Sequence, residues 1–181
     1  VTGVQTCALP IWVPPFVASL AVGQGLPAER WASLAGMSYN VGAVCGYVGF
    51  GFCADAWGRR PTTIAWFVLA WVLTPVLFLW TSNPALVLVA CAVNAAFSLG
   101  QYTWCPTWLP EAFPTRSRAT AVSFCFNAPR LIAFVGPLVA GSLITAFGSY
   151  GRAAVIVSTI YAVGICAAPF FPETRGRALP D

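Results

Sequence analysis

The sequence predicts an all-α protein, a polytopic membrane helix bundle with about five complete transmembrane helices and one partial helix. Of its 181 residues, 59% are hydrophobic and only 8% are charged, whereas a soluble domain typically carries about 25% charged residues. The few charges lie in short strings that separate long apolar stretches. Because an α-helix needs about 20 residues to cross roughly 30 Å of hydrocarbon, these stretches have the length of membrane spans.

Five apolar stretches reach this length. A sixth, Trp12–Gly23, is too short and contains Pro14 and Pro15, so we interpret it as the remaining end of a truncated helix. The connecting segments contain glycine and proline residues that favour turns, among them Gly58 and Pro61. The five predicted spans are Ser33–Ala54, Thr62–Trp80, Ala85–Cys105, Ala119–Phe147 and Arg152–Phe171.

The first eleven residues need separate treatment. Residues 1–11 resemble the translation of a sequencing-library adapter, and segments of that kind are left out of fold reasoning. They also lack the basic region that precedes the apolar core of a signal peptide. Residues 12–181 are therefore predicted to form one transmembrane bundle, with residues 172–181 as a short tail.

The arginines predict an orientation, because all nine positively charged residues are arginines. Two connectors and the tail, on one side of the predicted bundle, hold six of them, whereas the opposite side holds only Arg30 and Arg152. Cytoplasmic loops carry such an excess of positive charge. We therefore expect an integral plasma-membrane protein, in a bacterium at the inner membrane, with a cytoplasmic C-terminus. The six arginines are Arg59, Arg60, Arg116, Arg118, Arg175 and Arg177.

Composition also excludes several classes of function. The chain has no histidine, and its seven cysteines form no CxxC pair, so no metal, disulfide or cofactor site is predicted. An enzyme would need a nucleophile with its base at one depth, but no carboxylate lies inside a predicted span, so no catalytic residue is proposed. The basic residues do not gather on one polar face, which argues against nucleic acid. The five carboxylates are Glu29, Asp55, Glu111, Glu173 and Asp181.

Arg130 is the sharpest candidate for a solute contact. It lies twelve residues beyond Arg118, about 18 Å along a helix axis, and an arginine at a span centre costs roughly 2.5–3.5 kcal/mol on insertion scales. Helical spacing puts Ser123, Asn127 and Phe134 on the same face. We expect a guanidinium that binds an anionic group or pairs with a carboxylate from elsewhere in the protein. The alternatives are snorkelling, or a structural bond to carbonyls near Pro129.

Other polar residues inside predicted spans extend the candidate solute path. Asn94, Ser98 and Gln101 share one face of the third span, with Phe97 and Trp104 beside it. Amides orient hydroxyl or carboxylate groups, and aromatic rings stack on sugars or aromatic bodies. The alternative is hydrogen bonding between helices. In the first span Tyr39 and Asn40 are neighbours, so only one of them can face inward.

The spans are predicted to differ in what they face. Amide-bearing helices need a protein or water-lined side, so the first, third and fourth spans should line something polar. The second and fifth should lie outside. A stripe of small residues along the first span predicts close approach of a neighbouring helix; its members are Ala35, Gly42, Gly46, Gly49 and Cys53.

Three charged strings mark the ends of the predicted spans, Gly51–Arg60, Pro110–Ala119 and Pro172–Gly176. Their order resembles the cytoplasmic signatures of the major facilitator superfamily, GxxxDxxGRR, FPTxxRA and PETxG, read through its C-terminal half. The resemblance covers nearly the whole chain and implies ionic contacts at an inner gate. The residues so implied are Gly51, Asp55, Gly58, Arg59, Arg60, Glu111, Arg116, Arg118, Glu173 and Arg175. The alternative is that the strings only anchor the topology.

The resemblance also implies a function, secondary active transport by alternating access around a cavity at mid-membrane. We expect proton symport of a small organic solute, a carboxylate or an aromatic acid. Gly100 is followed by Gln101 instead of proline, and Glu111 lies further from Trp104 than in sugar porters, which favours a metabolite or organic-acid symporter over a sugar:proton symporter.

No carboxylate lies within a predicted span, so the proton carrier is expected in the missing N-terminal half, which is also the predicted partner of this bundle in the lipid bilayer. A membrane receptor or structural module that does not transport is the alternative of another class. A transport assay separates the two.

Overall fold

The computed structural model describes residues 2–133 and 135–177, which form a helix bundle with no β-strand among them. The predicted all-α class is confirmed. Short turns extend the main helices: a π-helical turn (Val76–Trp80) continues α3, 3₁₀ turns (Gly100–Thr103 and Leu109–Ala112) flank α5, and a third (Ala168–Phe170) follows α9. The helices are α1 (Thr2–Gly23), α2 (Ala28–Trp57), α3 (Arg59–Pro75), α4 (Pro84–Ser98), α5 (Trp104–Thr107), α6 (Thr115–Ala133), α7 (Gly136–Phe147), α8 (Tyr150–Ser158) and α9 (Ile160–Ala167).

Among the residues that the structure describes, three helical segments are long and apolar enough to cross a membrane: Arg59–Trp80, Pro84–Ala112 and Tyr150–Phe170. They correspond to the second, third and fifth predicted spans. The first predicted span lies within α2, whose 30 residues exceed the length required. Its glycines and its polar Tyr39 and Asn40 lower its hydropathy.

The predicted continuous span Ala119–Phe147 is wrong. In the structure α6 ends at Ala133, and α7 begins at Gly136. Pro137 explains the new start, because a proline has no backbone N–H to donate to the preceding turn and is favoured in the first turn of a helix.

The first helix is longer than the apolar segment that the sequence indicated from Trp12. α1 begins at Thr2 and continues through Pro14 and Pro15. Membrane helices tolerate proline, because neighbouring groups bond the carbonyls that it leaves free. From Trp12 onward the helix contributes buried side chains to the core of the bundle.

Glycines let α2 and α4 approach each other closely, and this is the most extensive helix pairing in the bundle. A Cβ atom built on Gly42 would lie 2.0 Å from the carbonyl oxygen of Ala92, and one on Gly46 would lie 2.0 Å from that of Ala96. Both neighbours are backbone atoms, so neither can move away cheaply. The predicted small-residue stripe is confirmed at these two positions.

The glycine Gly51 of the first charged string does not pack closely against another helix, although a glycine where a span ends can allow close packing. A Cβ atom at Gly51 would meet nothing within 4 Å, and one at Gly49 would meet only the Trp66 ring, at 4.0 Å. The close approach ends beyond Gly46, where Gly100 packs directly against its backbone. Gly51 follows on the same helix but faces open space.

Candidate functional site

A cluster of charged side chains lies where α2 ends and α3 begins. Arg59 donates from Nε to Glu111 Oε2 at 3.1 Å and from Nη2 to Glu111 Oε1 at 3.0 Å. This two-pronged geometry is the strong form of an arginine–carboxylate pair. Arg59 also contacts Asp55 at 2.8 Å, but the Asp55 side chain is 76% exposed. Exposed pairs contribute little, so Glu111 is the main partner.

Glu173 joins this cluster by capping the start of α3. Its carboxylate accepts from the backbone N–H groups of Arg59 at 3.0 Å and Arg60 at 2.9 Å. The first N–H groups of a helix have no partner within the helix, and the helix dipole favours a negative charge there. Burial alone would raise the pKa of Glu173, but backbone N–H groups from both chain segments bond its carboxylate and lower the pKa below its ordinary value.

Gly58 makes this cap possible. Its φ of 110° lies in a region that side-chain-bearing residues rarely adopt. A Cβ atom at this position would also lie 2.9 Å from Oε2 of Glu173. Two independent constraints, backbone conformation and space, therefore require glycine.

Residues 171–175, here called the strap, tie the end of the chain to the cluster. Arg60 donates from Nε to the Phe171 carbonyl at 3.1 Å, and Trp108 Nε1 donates to the Pro172 carbonyl at 2.9 Å. The Thr174 hydroxyl donates to Glu111. All three charged strings therefore meet at one end of the bundle.

The remaining predicted gate residues take less part in the contacts at that end. Arg118 donates from Nε to the Phe113 carbonyl at 3.2 Å. The side chains of Arg116 and Arg175 are exposed, although the backbone N–H of Arg175 bonds to Glu173.

The strap is not fully packed on the bundle. A cavity of about 160 Å³ lies between the strap, α3, α5 and α9, and its lining is mainly apolar. Phe171 forms part of the wall, with Trp104 and Trp108. Phe171 makes edge contacts with the rings of Trp104 and Trp108, with ring centres 6.4 and 5.4 Å apart, so polar and aromatic contacts together hold the strap.

A second set of polar residues, here called the polar chain, is buried between α2, α3 and α4. Ser98 donates to Asn94 Oδ1 at 3.2 Å and lies 2.9 Å from the Tyr39 hydroxyl. A serine has one proton to donate, so Tyr39 is the donor to Ser98. Asn94 in turn donates to Thr74 Oγ1 at 3.3 Å, and Thr74 donates to the Ala70 carbonyl.

The polar chain explains the placement of several predicted path residues. Tyr39 and Asn94 are almost fully buried within this half-bundle, as is Gln101, which donates to the Ser98 carbonyl at 2.9 Å. Asn40 faces the other way, is exposed, and donates to the Gly36 carbonyl of its own helix. The two neighbours thus face opposite ways, with Tyr39 towards the interior of this half-bundle and Asn40 away from it. Thr74 was not recognised, because threonine is common in apolar helices.

Arg130 lies on an exposed face of α6 that we call the arginine face, together with Ser123 and Asn127. Its guanidinium carbon lies 4.4 Å from the centre of the Phe126 ring, and Nη1 is 3.5 Å from Asn127 Oδ1. Asn127 itself donates to the Ser123 carbonyl at 2.8 Å. Phe134, which the spacing assigned to the same face, lies outside the described residues.

Phe126 was missed by the sequence interpretation, which considered only polar partners for Arg130. The Phe126 ring also meets Tyr102, with ring centres 5.2 Å apart and planes inclined by 61°. A signal existed, because residues four apart on a helix are neighbours. Within the parts of the chain that the structure describes, no cluster of side chains suited to a metal ion occurs.

The chain is similar to several proteins that are named as transporters. A protein of Haemophilus influenzae whose name describes metabolite transport is 30% identical, over 93% of this chain and 40% of its own. A probable 4-methylmuconolactone transporter of Cupriavidus pinatubonensis is 27% identical, over 96% of this chain and 40% of its own. The cis,cis-muconate transport protein of Acinetobacter baylyi is 28% identical, over 76% of this chain and 34% of its own.

This chain thus spans well under half the length of the relatives it matches. The family model of the Major Facilitator Superfamily matches residues 3–180. An apolar helix bundle with three clear spans and three charged strings at one end fits that match. The chain belongs to the Major Facilitator Superfamily, a family of integral membrane transporters and not of enzymes.

Proposed function

We propose that the full-length protein containing this chain moves a small organic acid across a bacterial inner membrane, by alternating access and in symport with protons. The observation that carries the proposal is the arginine face. It presents an exposed guanidinium about 18 Å along the helix axis from Arg118, held by an aromatic ring and an amide. Two of the relatives are named for muconate or a muconolactone, which supports an unsaturated carboxylate as the solute.

The solute path of this proposal centres on Arg130 and Asn127. A guanidinium offers paired N–H donors that match the two oxygens of a carboxylate. Asn40 is also exposed, so it remains a candidate lining residue, and Trp104 is a candidate aromatic wall. Tyr39, Asn94 and Gln101 are buried behind the surface, and they support the path by holding α2, α3 and α4 together.

The charged cluster is the proposed inner gate, on the cytoplasmic side with the C-terminus. Asp55, Arg59, Glu111 and Glu173 are joined by hydrogen bonds and ion pairs, and Arg116 and Arg118 add positive charge from the second charged string. The exposed Arg59–Asp55 pair contributes only about 0–1 kcal/mol. Opening of the proposed gate therefore depends mainly on release of the Arg59–Glu111 pair.

The proton carrier of this proposal lies outside the chain. Each of its carboxylates was assigned to the end of a span, and three of them, Asp55, Glu111 and Glu173, are partners in the charged cluster. A titratable group within the membrane path would therefore come from the remaining part of the longer protein.

The test measures the uptake of labelled cis,cis-muconate into liposomes that contain the full-length protein, with a pH gradient imposed across the liposome membrane. Uptake should follow the gradient and collapse with a protonophore. Arg130→Ala should abolish uptake, whereas Arg152→Ala, which removes an exposed arginine from another helix, should leave it intact. Uptake of hexoses without carboxylates would instead favour sugar symport, and no uptake of either solute class would favour a non-transporting role.

A further inference from the structure

Tyr102, Phe126 and Arg130 form a continuous stack between two parts of the bundle. Tyr102 belongs to the 3₁₀ turn Gly100–Thr103 after α4, whereas Phe126 and Arg130 are one turn apart on α6. The Tyr102 ring meets Phe126 at 61°, and the Arg130 guanidinium lies over the Phe126 ring. Both rings are half-buried, and Arg130 is exposed.

We infer that Phe126 and Tyr102 are positioning residues of the solute site, which hold the Arg130 guanidinium so that its N–H edge meets a solute carboxylate. This inference rests on the transport function proposed above. It adds that two aromatic rings orient the guanidinium, and that this orientation favours the binding of carboxylates.

The first step of the argument concerns the guanidinium. A free arginine side chain has many rotamers, and ordering it on binding costs free energy. The π-face of Phe126, whose ring centre lies 4.4 Å from the guanidinium carbon, attracts the cation and restricts its side chain. The contact to Asn127 Oδ1, at 3.5 Å, is too long to fix the group alone. Phe126 is therefore the main restraint on Arg130.

The second step concerns Tyr102. An edge-to-face contact fixes the orientation of the partner ring, and Tyr102 makes this contact from a different segment of the chain. The orientation of the Phe126 ring is thus set from outside α6. The adjacent Gln101 anchors the same turn to Ser98, in the polar chain. Because this hydrogen bond holds the turn, it also restricts the position of the Tyr102 ring.

The third step concerns selectivity. Held beside Phe126, the exposed guanidinium offers N–H donors that match two coplanar oxygens of one carboxylate. A methyl ester removes the charge and one acceptor, so it binds less well. The stack thus discriminates in favour of a free carboxylate over its neutral ester.

The experiment measures initial uptake of cis,cis-muconate by the full-length protein in liposomes, with its dimethyl ester, which has no free carboxylate, as competitor. Phe126→Leu removes the aromatic face but keeps an apolar side chain, and we expect KM to rise about 5- to 30-fold with Vmax within twofold. Phe126→Tyr keeps the face and should restore KM. Tyr102→Leu should raise KM less than Phe126→Leu, and Tyr102→Phe should be neutral.

Competition separates positioning from simple packing. In the wild type the ester should compete poorly, and in Phe126→Leu the preference for the free acid should shrink. An unchanged KM in Phe126→Leu, or an equal fall of Vmax in Phe126→Leu and Phe126→Tyr, overturns the inference. Absence of muconate uptake by the wild type overturns the transport proposal itself, and Arg130→Ala with normal uptake removes Arg130 from the site.

Discussion

The Glu173 carboxylate occupies the space that a side chain at Gly58 would need, since Oε2 lies 2.9 Å from the Cβ position. These residues are far apart in sequence, yet the turn before α3 is shaped to receive the cap. Four experiments test the structure around this relationship and in the bundle behind it.

Gly58→Ala should destabilise the cluster, because it combines an unfavourable φ with a clash against Glu173. Strained backbone of this kind costs about 1–3 kcal/mol, so the melting temperature in detergent should fall and protease should cut the strap faster. Gly51→Ala is the matched control, because its Cβ would meet nothing within 4 Å. Equal behaviour of the two variants would contradict the cap geometry.

Glu173→Gln should make the strap less sensitive to pH below the ordinary pKa of glutamate. The pKa of Glu173 is lowered in the folded protein, so the stabilisation that its charge provides is complete above the ordinary glutamate pKa. That stabilisation is lost as the pH falls through the lowered value. Proteolysis of the wild-type strap should therefore become faster in acid. The Glu173→Gln variant should be cut faster than the wild type at neutral pH, and its rate of cutting should depend less on pH. Parallel pH curves for the two proteins would argue against the charged cap.

Ser98→Ala should leave the Tyr39 hydroxyl and the Asn94 carbonyl oxygen without a partner. An unsatisfied buried group costs about 1–3 kcal/mol, which should lower the melting temperature. Ser33→Ala is the control, because Ser33 is exposed and bonds only within its own helix. Tyr39→Phe combined with Ser98→Ala should cost less than the sum of the single changes; strict additivity would mean that the two hydroxyls do not interact.

Gly46→Ala should prevent α2 and α4 from packing. The added methyl group would lie 2.0 Å from the Ala96 carbonyl oxygen, and overpacking costs at least about 1–3 kcal/mol. The folded fraction on size-exclusion chromatography should drop sharply. Gly36→Ala, on the same helix but in open space, should fold as well as the wild type. A well-folded Gly46→Ala protein would show that the helices lie further apart.

The sequence predicted the all-α bundle, and the close approach at Gly42 and Gly46 in the small-residue stripe, because both follow from local composition. It could not predict how each helix is rotated. Tyr39 and Asn94 had the same residue types as solute ligands, and only packing reveals that they bond to each other through Ser98. The end of α6 at Ala133 was missed because the apolar run continues beyond it, although Pro137 allowed a new helix there.

The charged strings were recognised from their residues, but the sequence did not show which of their side chains pair with each other. Arg59 and Glu111 form the strongest pair although they belong to different strings, and pairing across the bundle depends on the three-dimensional arrangement. Phe126 was overlooked for a related reason. A hydrocarbon ring has no polarity to mark it as a partner of Arg130, although its π-face attracts a cation.

The cap of α3 has a consequence for biosynthesis. The carboxylate that bonds the Arg59 N–H is translated 114 residues later, after the helices between them have been made. The N–H groups at the beginning of α3 therefore lack their carboxylate partner until the strap leaves the ribosome. The cap of α3 is completed only after α4 to α9 have been made.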